Sequence, residues 1–361
     1  MAVYFGLFFA TLFNSFFSLT RSFPVKPIAA LIFLLIFFIV AFRYASVDYF
    51  GYLGIYEGVT DFSRLGWFIY SVNEMTPVES GFALLILLEK IFVGHFFFFL
   101  FVFAALSMAV KYYALSKLSP YVLLSVLIYL SDEYFWKDLG QIRNAMASGI
   151  LLVSILFAHK REPVKFFITL FIASLFHSAA IVGIVIYFLR HLAKPALMAI
   201  ALILSIGVAI AGGVGLLIPE VASVLGFDSA SRLVKYANSK YVGEGSFLRG
   251  TNLLHVAISL LFIYFYKPLV RKWSYNQLLV PMYVYGTVLM FLFVDYGIIW
   301  GRIREMLCIP AFVVVAPSFI LLFKGNQRLI PYFIIVAYCV MFFYLKIQDR
   351  APYQSVLGLI G

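Results

Sequence analysis

Long apolar runs separated by short polar turns set the pattern of this chain. They fall at about 3–19, 28–42, 82–93, 96–112, 121–130, 143–158, 166–189, 196–211, 251–266, 278–294, 306–323 and 330–345. The runs lack the ten-residue alternation of a membrane β-barrel, so each predicts a helix. Many approach the length needed to cross a hydrocarbon layer roughly 30 Å thick. The expected fold is an all-α, polytopic helical integral membrane protein with about 11–14 transmembrane helices. The first residues resemble a signal peptide in hydropathy but lack a basic start and a small-residue cleavage site, so they are taken as the first membrane helix.

Composition agrees. Of 361 residues, 64% are hydrophobic and 12% charged, a balance that excludes a soluble domain. The net charge of +11 would suit nucleic acid, but its lysines sit in short turns between apolar runs, where the positive-inside rule accounts for them. The basic turn from His159 to Lys165 is the firmest cytoplasmic marker. Two stretches, one poor in Lys and Arg at about 44–79 and one with a glycine-rich start at about 212–250, are expected as loops on the outer face of a single domain covering 1–361, and the family resemblance given below makes that face the periplasmic one. Cys308 and Cys339 lie in separate apolar runs and imply no disulfide framework.

Two runs break the pattern. The 82–93 run carries Glu89 and Lys90 and stands where an odd number of crossings is required, so it is expected to dip into the membrane only. The 166–189 run has basic flanks on both sides. It is expected as a hairpin of half-helices with His177 near its tip, an arrangement tolerated at membrane depth only where it lines a cavity.

The polar residues then suggest chemistry. On this topology Arg43, Arg64, Arg143, Arg232, Arg249, Arg302, Arg304 and Arg350 gather on the outer face, against the positive-inside trend. A guanidinium matches a phosphate with its planar fork and stays charged. The arginines therefore point to a lipid-linked phosphate or diphosphate. The competing explanation is local pairing, Arg302 and Arg304 with Glu305, or snorkelling to headgroups. His177, isolated in an apolar run, suits a proton acceptor or a donor to a phosphate oxygen, or a packed core histidine. The outer aromatics suit sugar faces, and equally an interfacial belt. No metal motif appears, and no cofactor is expected.

The same residues carry a family resemblance. In order, FRYASVDYFGYLGIY, VESGFALL, QIRNAMASGILLVS, IASLFHSAAIV and GRIREM resemble the EpsG/Wzy group of bacterial polysaccharide polymerases. Arg43, Asp48, Tyr49, Tyr52, Glu79, Gly81, Phe82, Arg143, Ala147, His177, Ser178 and Arg302 fall on that group's positions. Ser80 replaces a frequent proline, Asn144 a frequent glutamine, and the segment after Gly212 matches nothing in the group.

The resemblance implies an inner-membrane glycosyltransferase of GT-C-like architecture, working on undecaprenyl-diphosphate-linked oligosaccharides at the periplasmic face. On that basis Arg143, with Arg302 or Arg304 and with Arg43 or Arg249, would stabilise a departing diphosphate. His177 would deprotonate the acceptor or steady the diphosphate. Asp48 and Glu79 would be alternative bases or would orient the arginines, and Tyr49 and Tyr52 would line the substrate site. Membrane lipids and a chain-length regulator protein are the expected partners, with no nucleic acid. An O-antigen ligase, a flippase and a membrane-bound acyltransferase remain alternatives at this stage.

Overall fold

A computed structural model describes residues 1–20, 23–72, 77–214, 248–348 and 350–359. It is built almost wholly of helices. They are α1 (Ala2–Phe17), α2 (Val25–Ala41), α3 (Tyr49–Gly58), α4 (Ser80–Phe92), α5 (Phe96–Leu118), α6 (Val122–Asp132), α7 (Ile142–Lys160), α8 (Pro163–Ser174), α9 (Val185–Leu192), α10 (Pro195–Ile210), α11 (Gly250–Tyr264), α12 (Tyr266–Lys272), α13 (Asn276–Leu292), α14 (Gly297–Ile303), α15 (Ile309–Ser318) and α16 (Leu329–Gln348).

Among the described residues, four helical stretches are long and apolar enough to cross a membrane: 96–118, 142–160, 297–322 and 325–348. The pair α11 and α12, bent by 66°, makes a fifth when taken as one span. Shorter apolar helices, α1, α2, α6, α8, α10 and α13 among them, accompany these. Faces that meet no protein are apolar: Phe13 is 65% exposed, Ile203 66% and Ile334 66%. In water such faces would be a liability, and they are what a lipid-facing surface requires. The protein is a helical polytopic membrane protein.

The helices form two compact units. The first comprises Met1–Ile181 and Ala316–Gly361. In it α2 packs on α5, α5 on α7, α7 on α8, and α1 and α16 on α6. Helix α6 is buried from Val122 to Asp132, as an element apolar on all sides must be. Beneath it lie two ion pairs, Lys111 with Asp138 and Lys137 with Glu133, the latter at 3.0 Å, all four side chains at most 4% exposed. The second unit comprises Val182–Val315, with α10, α11 and α9 packed around α13. Its core joins Leu202, Ala209, Phe291 and Val294. Helix α13 meets the π-helical turn Arg304–Cys308 at Gly286, where a Cβ would stand 2.8 Å from the Cys308 sulfur, so only glycine fits.

The stretch expected as a loop at 44–79 is largely folded. It holds α3, a 3₁₀ turn at Phe62–Arg64 and an antiparallel pair, β1 (Ile69–Ser71) with β2 (Pro77–Glu79). The second expected loop, with Arg232, falls mostly outside the described residues. Helix α4 has 13 residues, about 20 Å at 1.5 Å per residue and short of a full crossing. Its Glu89 is satisfied within the protein, accepting from the Tyr56 hydroxyl at 2.5 Å and the His95 N–H at 2.9 Å. The run at 166–189 is broken where the sequence places the break. Helix α8 ends at Ser174, and a 3₁₀ stretch begins at Ser178, leaving His177 between them.

Candidate functional site

The first unit brings together Tyr52, Glu79, Arg143, His177 and Ser178. Arg143 is the second residue of α7, a helix held by packing on both α5 and α8. Its guanidinium pairs with the Glu79 carboxylate and bonds the Tyr52 hydroxyl. It also lies 5.9 Å from the Tyr52 ring centre and 5.7 Å from that of Phe82. A cation packed on two aromatic rings and one carboxylate has little freedom to reorient.

Glu79 is fixed by the small sheet. It pairs with Ile69, and the next residue, Ser80, donates its N–H to the Phe68 carbonyl at 2.9 Å and its hydroxyl to the Gly66 carbonyl at 2.6 Å. While one Glu79 oxygen takes Arg143, the other accepts from the Ser178 N–H at 3.2 Å and the Ser178 hydroxyl at 3.4 Å. One carboxylate thus ties α7 to the break after α8. A second tie is the Gly81 N–H, which donates to the Leu175 carbonyl at 2.9 Å. A Cβ on Gly81 would lie 2.8 Å from that carbonyl oxygen, which accounts for glycine here. Burial pushes the Glu79 carboxyl up, but the Arg143 guanidinium, helped by the Ser178 N–H, outweighs it, and the net direction is down.

His177 has a defined orientation. Its Nδ1 accepts the Ala179 N–H at 3.2 Å, so Nδ1 carries no proton and the ring's proton lies on Nε2. The imidazole can donate from Nε2. With the proton on Nε2 and the Nδ1 lone pair engaged by Ala179, it is less suited to act as a base.

Arg43 lies in the same unit and acts electrostatically on Tyr52, the residue that Arg143 bonds. Arg43 is 2% exposed and donates to the Val40 carbonyl at 2.6 Å and the Ser46 hydroxyl at 3.1 Å. Its backbone bridges to Ser355, with the Tyr44 N–H on the Gln354 carbonyl and the Val356 N–H on the Phe42 carbonyl, both at 2.9 Å. Asp48 and Tyr49 follow. Tyr49 is buried against Phe96. Asp48 is an exposed carboxylate at φ 61°, a left-handed conformation that Asp tolerates better than most residues.

The remaining expected residues belong to the second unit. Arg302 donates to Glu305 at 2.8 Å, the local pairing that their spacing offers. Arg304 donates its Nε–H to His255 Nε2 at 3.3 Å, and His255 Nδ1 lies 2.7 Å from the Tyr283 hydroxyl. Arginine can only donate, so His255 Nε2 accepts and Nδ1–H faces Tyr283. Sequence reasoning undervalued His255. Its register against Tyr283 and Arg304, on three different elements, is invisible in one dimension. Arg249 stands exposed at the start of α11, where a cation opposes the helix dipole. Among the described residues, no three His, Cys, Asp or Glu side chains converge to hold a metal.

Fold and site together define a multi-pass helical membrane protein with a preorganised arginine beside a helix break. The chain belongs to the EpsG family, whose model matches residues 27–357. It is also similar to an amylovoran biosynthesis protein of Erwinia amylovora, AmsC, at 22% identity over 376 residues, covering 99% of this chain and 97% of that one. No solved structure matches.

Proposed function

We propose that the protein is a polysaccharide polymerase that joins undecaprenyl-diphosphate-linked oligosaccharide repeat units at the periplasmic face of the inner membrane. Family membership and the relative named for amylovoran biosynthesis support a role in polysaccharide assembly. The observation that carries the enzymatic step is Arg143, held by Glu79 and Tyr52 beside His177 and Ser178.

In this reaction a hydroxyl oxygen of one lipid-linked unit attacks the anomeric carbon of the other. The new glycosidic C–O bond forms as the bond from that carbon to the diphosphate breaks, and its electron pair leaves with the diphosphate. Charge grows on the leaving group, where a fixed cation that needs no reorganisation lowers the barrier most. Arg143 supplies that cation, and His177 Nε2–H donates to a diphosphate oxygen. Glu79 is committed to Arg143 and Ser178 and serves to orient them. The hydroxyl proton goes to Asp48, the exposed carboxylate beside Tyr49.

The test is the polymer made by the host. The gene is deleted, then restored as wild type, Arg143→Ala or His177→Ala at matched protein level. A polymerase leaves only single repeat units after deletion, and wild type alone restores long polymer. Long polymer retained on the lipid carrier would indicate a ligase instead. Repeat units held on the cytoplasmic side would indicate a flippase, and either result overturns the polymerase assignment.

A further inference from the structure

The turn that leads into β1 has an unusual tip. Leu65 bridges Tyr70, and the Gly66 N–H donates to the Ile69 carbonyl at 3.1 Å, so Trp67 and Phe68 form the two-residue tip of a hairpin. Such tips favour Gly, Asn and Asp, which suit water and the backbone angles required. Here two aromatic rings and then an isoleucine occupy the place. All three are exposed, Trp67 at 88%. The tip is continuous with the lipid-facing surface of the first unit. The Phe68 ring meets Phe171 of α8 edge-on, with centroids 5.3 Å apart. Phe171 shares an exposed apolar face of α8 with Ile168 and Ile172. Helix α8 starts at Pro163, directly after the charged residues Lys160, Arg161 and Glu162. Phe171 lies eight residues further on. That is about 12 Å at 1.5 Å per residue, inside a hydrocarbon layer roughly 30 Å thick, and a tilt of α8 only shortens the distance.

We infer that the Trp67–Phe68–Ile69 tip is inserted among the acyl chains of the bilayer, so that the stretch expected as an outer loop carries its own lipid anchor. Irregular backbone survives in lipid only where its polar groups are satisfied by the protein. The turn meets most of that demand. The Gly66 carbonyl accepts the Ser80 hydroxyl, the Phe68 carbonyl accepts the Ser80 N–H, and the Ile69 carbonyl accepts the Gly66 N–H. Polarity returns on the other side of the tip, where Arg64 and Asp61 pair at 3.4 Å and are exposed. Aromatic rings beside such charges are the pattern of a segment held at a membrane boundary. Ser80 follows Glu79, so the same two bonds tie the carboxylate that holds Arg143 to the anchored tip. The anchor then sets the depth of Arg143 against the lipid-borne diphosphate, a role that rests on the polymerase reading. Insertion itself does not, because it is read from the protein in lipid whatever reaction it catalyses.

The experiment reconstitutes the purified full chain in phosphatidylcholine nanodiscs whose acyl chains are brominated or unmodified. Wild type and Trp67→Phe are compared, and their difference isolates Trp67 among four tryptophans. Trp67 touches little of the fold, so the variant should melt with the wild type. The Trp67 emission is expected to be blue-shifted, quenched at least about twofold by brominated chains, and hardly affected by iodide in the water. Iodide quenching without chain quenching puts the tip in water and overturns the inference. Resistance to both quenchers marks a protein cover, a second copy or another chain, and overturns it equally. In the host, at matched protein level, Trp67→Leu should keep the polymer yield and Trp67→Asp should lower it at least about tenfold, since a carboxylate resists entry into hydrocarbon. Normal yield from Trp67→Asp overturns the depth-setting role and leaves the polymerase reading intact. Unaltered polymer after gene deletion overturns that reading and leaves the quenching result standing.

Discussion

Glu79 holds Arg143 with one carboxylate oxygen and the Ser178 amide with the other. The cation on α7 and the break after α8 are therefore set by a single side chain on a two-stranded sheet. Removing it changes both at once. Glu79→Gln is expected to cost about 2 kcal/mol, below the 3–5 kcal/mol of a fully buried pair, because the two side chains are 24% and 14% exposed. Thermal unfolding in detergent checks this. The double variant Glu79→Gln/Arg143→Gln should cost less than the sum of the single ones, since it leaves no charge unpaired.

The pair also gives stability a direction with pH. The folded-state Glu79 carboxyl lies below its unfolded value of about 4.3, so its contribution is complete above that value. It fades as pH falls through the depressed folded-state value, where the carboxylate takes its proton. The stability gap between wild type and Glu79→Gln should be constant from neutral pH to about 4.5 and narrow below it. A gap that holds its full size into strong acid would show that charge is not its source.

Arg143→Lys keeps the charge and loses the planar fork that meets Glu79 and Tyr52. Polymer yield should fall by about 100-fold, the loss typical of one preorganised donor to a developing anion. The measure is polymer per unit of membrane-inserted protein. Full activity in the lysine variant would leave only a point charge to be required.

Gly81→Ala places a methyl group 2.8 Å from the Leu175 carbonyl oxygen. The neighbour is backbone and cannot rotate away, so α4 must shift. A destabilisation of about 1–3 kcal/mol is expected, as for overpacked cores. Since the shift parts Glu79 from Ser178, activity should fall more than stability, which paired melting and polymer assays would reveal.

Lys111 and Asp138 are a test of burial. Asp138→Asn leaves an ammonium 4% exposed without its counter-charge and should cost about 3–5 kcal/mol. Replacing both with apolar residues of similar volume should cost much less. Unfolding of the two variants side by side separates the value of the pair from the penalty of half a pair.

In the second unit, His255→Leu removes the acceptor for Arg304 Nε–H at a position 5% exposed. About 1–3 kcal/mol should be lost, because the buried bond to the Tyr283 hydroxyl goes with it. Glutamine, which can still accept, should recover much of it, and melting of both variants decides.

Apolar run length alone determined the helical membrane class, because each crossing must satisfy its backbone internally and needs a fixed number of apolar residues. Sequence also marked the break at His177 and singled out Arg143, since a charge or an imidazole in an apolar run stands out against its neighbours. Only the tertiary structure decided what those groups touch. Glu79 meets Arg143 across 64 positions of sequence and Ser178 across 99. His255 meets Arg304 across 49. Arg143 is held by a carboxylate, Arg43 by a backbone carbonyl and a hydroxyl, and Arg302 by Glu305, none of which the pattern of apolar runs displays. Chain order fixes which residues are available, but a hydrogen bond of 3 Å depends on helix packing, and packing is a property of the assembled bundle.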